Sequence, residues 1–212
     1  MQKYTGATAA PKKYDVIYAD PPWAYGSSQK MHSQVSEVYN TMKLSAMQAL
    51  PIQNICHPWT LMFMWTTGPK MNEAMRLLHQ WNFTYKTVAF VWKKGTHKNM
   101  GGYTMSQSEF ILVARNMAHK PSKYGSPLKP INFATPQFQD IPRPRGHSSK
   151  PDDFNHLIQG IYGTRDVDTR DLEYCELFAR RFINGWDCVG DSINGKFEDF
   201  LDGQNIGRLR WI

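Results

Sequence analysis

The chain has 212 residues, 41% of them hydrophobic, which suits one domain with a full-sized core and calls for no second domain. Lysine and arginine number 25 against 18 acids, and the pI near 9.3 favours a polyanionic partner over an acidic-surface one. No run approaches the roughly 20 apolar residues of a membrane helix, and the N-terminus lacks a signal-peptide design. Cys56, Cys175 and Cys188 are too few and too widely spaced for a disulfide framework or a metal cluster. The expectation is a cytoplasmic protein.

Residues 1–13 are small and polar and read as a loose arm before a single domain over 14–212. The apolar, β-prone run Tyr14–Ala19 then predicts a buried strand, which must stop at Asp20-Pro21-Pro22-Trp23 because neither proline can donate to a sheet ladder. In an open α/β sheet ligands sit beyond the carboxyl ends of the strands, which is where this arrangement delivers Asp20. An acid at that place suits methylation of an exocyclic amine on a nucleobase. The amine lone pair is conjugated into the ring and needs to be drawn out of plane. The Asp20 carboxylate and the Pro21 carbonyl, each accepting one amine hydrogen, would do so, and the rigid Pro21-Pro22 segment fixes their geometry. Trp23 offers a face for a flipped base, although a tryptophan after a turn also serves as a core anchor.

Ala24–Asn40 has little periodicity and reads as a functional loop. A short helix over Leu44–Leu50, begun at Thr41 and stopped by Pro51, precedes a strand over Thr60–Thr67 with the pattern of a parallel-sheet interior. Pro69 opens an amphipathic helix carrying Met71, Met75, Leu78 and Trp81. Strands at Thr84–Trp92 and Glu109–Ala114 flank a glycine-containing loop over 93–102, and six prolines mark a long excursion from Asn116 to Arg145. Pro151 starts a helix over Asp152–Ile161, and Tyr174–Phe178 reads as a further strand. Ile193–Ile212 is a short tail.

The turn at Asp20–Trp23 resembles that of the DPPW-type N6-adenine methyltransferases, the family of the mRNA adenosine methyltransferase catalytic subunit and of many bacterial and phage DNA adenine methylases. The resemblance continues through Val38–Met42, Leu61–Thr67, Val91–Lys94, Ser108-Glu109-Phe110, His147–Asp152, Glu176–Arg180 and Gly185-Trp186-Asp187, in family order over most of the chain. It implies a single Rossmann-like α/β domain that uses S-adenosylmethionine, with permuted motif order, so that the sheet centre is built from both ends of the chain. It also implies a set of contacts. Lys150 would pair with the cofactor carboxylate, helped by a helix N-terminus. Glu176, Phe178 and Arg180 would line the cofactor, Asp20 would lie near its amino group, and Tyr39 would lie near the target adenine or anchor its loop. The chain departs from the relatives nearest the mRNA enzyme at Arg181-Phe182-Ile183 and at Gly190-Asp191-Ser192, where Asp191 or Ser192 still offers a ribose hydrogen bond. No glycine-rich dinucleotide fingerprint follows the Tyr174 strand.

The basic residues fall in loops. Lys93, Lys94, His97 and Lys98 share one; Lys120, Lys123 and Lys129 lie in the proline-rich excursion; Arg143 and Arg145 precede Lys150. Taken singly they read as solubilising charge. Taken together, on loops that both leave the Asp20 edge of the sheet, they read as phosphate contacts along a groove. The expected activity is N6-adenine methylation of DNA with base flipping. RNA N6-adenosine methylation, N4-cytosine methylation and an inactive nucleic-acid-binding paralogue are the alternatives.

Overall fold

The computed structural model describes residues 11–25, 41–95, 99–100, 103–118, 128, 130, 132, 134–145, 149–162, 172–190 and 193. In chain order these form β1 (Tyr14–Ala19), α1 (Leu44–Gln48), β2 (Cys56–Thr66), α2 (Met71–Gln80), β3 (Phe83–Lys93), β4 (Asn99–Met100), β5 (Met105–Ser106), β6 (Ser108–Asn116), β7 (Phe138–Gln139), α3 (Asp153–Tyr162), β8 (Tyr174–Leu177) and β9 (Asp187–Val189). Seven strands make one sheet in the order β7-β3-β6-β2-β1-β8-β9, and β4 and β5 make a separate two-stranded ribbon. β1 is buried at all six positions and lies between β2 and β8, so the first and nearly the last described strands meet at the sheet centre. This is the permuted order expected from the sequence, in a Rossmann-like α/β fold.

Strand alternation sorts the core into two layers. Ile17, Ala19, Met62, Met64, Leu112, Cys175 and Leu177 pack towards α1 and α2, while Val16, Tyr18, Phe63, Trp65, Ile111, Phe90 and Trp92 pack towards Phe154 and Ile158 of α3. That period of two puts Glu109 of β6 and Glu176 of β8 on the α3 face, and extended one residue past the ends of β1 and β3 it puts Asp20 and Lys94 there too.

The sheet is not wholly parallel, as the apolar run of β2 suggested. β6 runs antiparallel to both β2 and β3, whereas the other pairings are parallel. Hence Lys93 and Lys94, at the end of β3, share an edge with Asp20, but the excursion after β6 begins at the opposite edge. A strand paired antiparallel to β3 must finish where β3 starts. The excursion comes back through β7, whose Phe138 and Gln139 pair in parallel with Val91 and Trp92, and Trp92 Nε1 donates to the Ile141 carbonyl at 2.8 Å. Arg143 and Arg145 follow β7 past the Asp20 edge. Lys120, Lys123 and Lys129 lie outside the described residues.

Both ends of α1 and the end of β8 also differ from expectation. α1 is capped at Lys43 without a side-chain hydrogen bond, so Thr41 is not its cap, and it ends at Gln48. The strand read to Phe178 stops at Leu177 because Phe178 takes a left-handed φ of 61°. Such a conformation is strained for a bulky residue.

Candidate active site

The proline stop works as the sequence suggests. β1 ends at Ala19, the backbone N–H of Asp20 just after it donates to the Leu177 carbonyl at 3.3 Å, and the turn is then pinned from two sides. The Trp23 N–H donates to the Pro21 carbonyl at 2.8 Å, and the Met42 N–H donates to that of Pro22 at 2.9 Å. A carbonyl oxygen has two lone pairs, so that of Pro21 keeps one for a further donor. Trp23 itself is 6% exposed, packs in the α1–α2 core layer, and donates its indole N–H to the Trp65 carbonyl at 3.3 Å. In this structure it anchors the turn and presents no open stacking face, because the bridge to Met42 and the bond to the Trp65 carbonyl seat it in the layer away from Asp20.

A chain of charges runs across the α3 face at the carboxyl edge. Arg180 approaches Asp20 at 3.4 Å and Lys150 approaches its other oxygen at 3.3 Å. Lys150 also meets Glu109 at 2.9 Å, and Lys94 meets the remaining Glu109 oxygen at 2.5 Å. The Lys150 ammonium lies 5.1 Å from the centre of the Trp65 ring, a cation–π contact that fixes it from below. Burial disfavours the charged Lys150, but the Asp20 and Glu109 carboxylates outweigh it and raise its pKa. Burial likewise opposes ionisation of Glu109, and the ammonium groups of Lys150 and Lys94 nonetheless hold its carboxyl down at about 2.

Glu176 takes a separate place beside this chain. It accepts from Asn155 Nδ2 on α3 at 2.8 Å. Burial pushes its carboxyl up to about 7, with the Asn155 bond opposing the rise and the Asp20 charge adding to it. Arg181 reaches from the loop after β8 to the Lys150 carbonyl and to Asp152. Phe178 diverges from the group: its ring packs against the α1–α2 layer, stacked with Trp81 at 6.4 Å between centroids.

The structure therefore brings Asp20, Pro21, Lys150, Glu176 and Arg180 to one edge. Lys94, read as a phosphate contact, is turned inward with 14% of its side chain exposed, while Lys93 points outward onto Asp140 at 2.6 Å. Arg143 is half-buried and Arg145 exposed. Tyr39, Lys98, Asp191 and Ser192 lie outside the described residues. Glu109 falls within the Ser108-Glu109-Phe110 motif, and the resemblance implies no role for it. The signal was present, since a lone acid opens the otherwise apolar run Phe110–Ala114 and has the parity of the α3 face. Arg181 stands where the chain departs from the relatives nearest the mRNA enzyme, so the resemblance implies no role for it either.

Open α/β sheets bind ligands beyond their carboxyl edge. At this edge Lys150 and Arg180 stand with Asp20 and Glu176 beside the central strands, a set of mixed sign that fits a zwitterionic amino-acid moiety such as that of S-adenosylmethionine. Permuted strands carrying such a set define a Rossmann-like methyltransferase. A family model described as MT-A70 matches residues 14–192, and the chain belongs to that family. It is 39% identical over 199 residues to the type II methyltransferase M.MunI of Mycoplasma sp, covering 86% of this chain and 78% of that protein. It is 28% identical over 194 residues to a putative N(6)-adenosine-methyltransferase MT-A70-like protein of Medicago truncatula, covering 86% of this chain and 27% of that protein. Among the described residues no helix is long and apolar enough to cross a membrane.

Proposed function

We propose that the chain transfers a methyl group from S-adenosylmethionine to the N6 amine of adenine in DNA. The observation that carries this reading is Asp20 at the end of the central strand, 8% exposed and bordered by the Pro21 carbonyl, together with likeness to a type II methyltransferase over most of both chains. Lys150 and Arg180 suit the donor's carboxylate and ribose side, and Asp20 and Glu176 its ammonium. Bound there, S-adenosylmethionine supplies an electrophilic methyl on a sulfonium that leaves as a neutral thioether. Asp20 and the open lone pair of Pro21 each accept one amine hydrogen of the target base, which draws the nitrogen out of the ring plane and aims its lone pair, and the proton that the methylated nitrogen sheds leaves to water along the Asp20 hydrogen bond. The base reaches them only after leaving the duplex stack. Mass spectrometry of nucleosides after incubation of DNA and of RNA with enzyme and donor tests the reading. N6-methyladenine in DNA supports it, and N6-methyladenosine in RNA alone moves the substrate to RNA.

Two further results are expected. S-adenosylmethionine should bind saturably without nucleic acid, and at 100 times its Kd should add roughly 2.7 kcal/mol, raising Tm by about 5–10 °C. Lys150→Ala should weaken this binding, and a Tm unmoved by donor in the parent protein would overturn the cofactor assignment. The second concerns DNA. Lys93 is exposed and its pair with Asp140 is a surface one, so Lys93→Ala should change stability by less than about 1 kcal/mol. If Lys93 contacts a phosphate, the log–log salt slope of DNA binding falls by roughly 0.9. An unchanged slope would leave Lys93 as solvated surface.

A further inference from the structure

Lys150 has two anionic partners and does not treat them equally. Its ammonium is 2.9 Å from Glu109 and 3.3 Å from Asp20. Charge-assisted N–H to carboxylate bonds settle at about 2.7–2.9 Å, so the Glu109 contact is fully formed and the Asp20 contact is stretched. The Arg180 contact to Asp20 is longer still, at 3.4 Å. Asp20 is thus flanked by two cations and tightly held by neither.

Glu109 is built to exert this pull. It pairs in register with Trp92 on the last rungs of the β3–β6 ladder, and the Lys94 N–H donates to the Gln107 carbonyl at 2.8 Å, so the backbones carrying Glu109 and Lys94 are both fixed. Lys94 holds one carboxylate oxygen and Lys150 the other. All three side chains are at most 16% exposed, which leaves water little part in the competition.

We propose that Glu109 is a positioning residue for methyl transfer: it draws the Lys150 ammonium away from Asp20 and so leaves the Asp20 carboxylate open to accept the amine hydrogen of the target base. Lys94 completes the device by orienting Glu109. This rests on the reading of Asp20 given above. If the negative charge at 109 is removed, Lys150 closes onto Asp20, the carboxylate is occupied, and the amine loses its acceptor.

The test compares kcat, KM for DNA and calorimetric donor affinity in the parent enzyme, Glu109→Gln and Glu109→Asp, with pH profiles of kcat for the parent and Lys94→Met. Glu109→Gln is expected to lower kcat at least about tenfold while KM for DNA stays within about twofold, and Glu109→Asp to recover part of the loss. In Lys94→Met the pair with Lys150 remains but one cation is gone, so the Glu109 carboxyl rises from about 2 towards the ordinary range. Lys94, Lys150 and, through Lys150, Asp20 and Arg180 are the charged groups facing it, and Lys150 alone then holds it ionised. Below the limb set by Glu176 at about 7, kcat of Lys94→Met should therefore fall at a higher pH than that of the parent, a change that a purely structural Glu109 would not produce. Should Glu109→Gln fail to fold, the Lys94→Met profile carries the test alone. A methylating parent whose Glu109→Gln variant keeps its kcat, or whose Lys94→Met profile superimposes on its own, overturns the positioning role only. A parent that binds donor and methylates no nucleic acid overturns the proposed function and this role with it.

Discussion

Asp20→Ala is expected to lower methyl transfer by at least about a hundredfold while leaving a folded protein, because one well-placed contact made to the reacting group is worth that much. Both halves follow from the charge chain. Removing a partner from a buried ion pair is ordinarily costly, since it leaves an uncompensated charge. Here Lys150 keeps Glu109 at 2.9 Å, and Arg180 is the most exposed member of the chain, with 27% of its side chain reaching solvent. Neither cation is stranded, so circular dichroism and Tm should stay close to those of the parent. Donor affinity should fall less than kcat, as Lys150 and Arg180 remain. Asp20→Asn gives the finer reading. The amide keeps one acceptor oxygen and the side-chain volume but loses the charge, so it should sit between parent and alanine. A folded Asp20→Ala enzyme with near-parent turnover would remove Asp20 from the reaction.

Gly190→Ala should be the most destabilising small substitution at this edge. A Cβ built at Gly190 falls 2.2 Å from the Ala179 carbonyl oxygen and 2.8 Å from its nitrogen, and those atoms are backbone. They have little room to yield. The Ala179 N–H donates to the Val189 carbonyl at 2.9 Å, and the Gly190 carbonyl accepts from the Ile193 N–H at 2.9 Å. Overpacking of this kind typically costs about 1–3 kcal/mol, which for a domain of this size lowers Tm by about 2–12 °C. Relief of the clash requires the loops after β8 and β9 to part, and Arg180 rides on the first of them. Donor affinity should fall together with Tm. Thermal unfolding and donor titration of the purified variant check both, and a parent-like Tm would show that the two loops can separate freely.

The legible parts of the site were those set by local rules. A proline pair cannot continue a ladder, so the end of β1 and the place of Asp20 could be read from four residues. The burial of β2 on both faces followed from its apolar run, the helix at Met71 from its periodicity, and the helix at Asp153 from the proline at its start. The less legible parts were those where a neighbour decided the outcome. Thr41 had the chemistry of a cap, but the chain enters α1 at Lys43 with no side-chain bond. Trp23 was open to two readings because its position after a turn does not say which face of the sheet it joins; the Met42 pairing and the bond to the Trp65 carbonyl assign it to the core. Lys94 looked like its neighbour Lys93, and only alternation past the end of β3 separates the inward lysine from the outward one.

By itself the sequence placed Asp20 at the end of a strand cut off by two prolines and marked the exocyclic-amine chemistry that such an acid suits, while resemblance to the family implied Lys150, Glu176 and Arg180 as its companions and the permuted order that puts β1 beside β8. The first rests on residue identity and strand period, carried within a few residues of chain, and the second on motifs that recur in family order. The tertiary structure alone decided that β6 runs against its neighbours, and this antiparallel turn brings Glu109 to the catalytic edge while sending the following excursion away from it. It alone decided that Lys150 is shared between two carboxylates at unequal distances. Those outcomes depend on strand direction and on which buried charges face one another, and both are set by contacts between segments far apart in the chain.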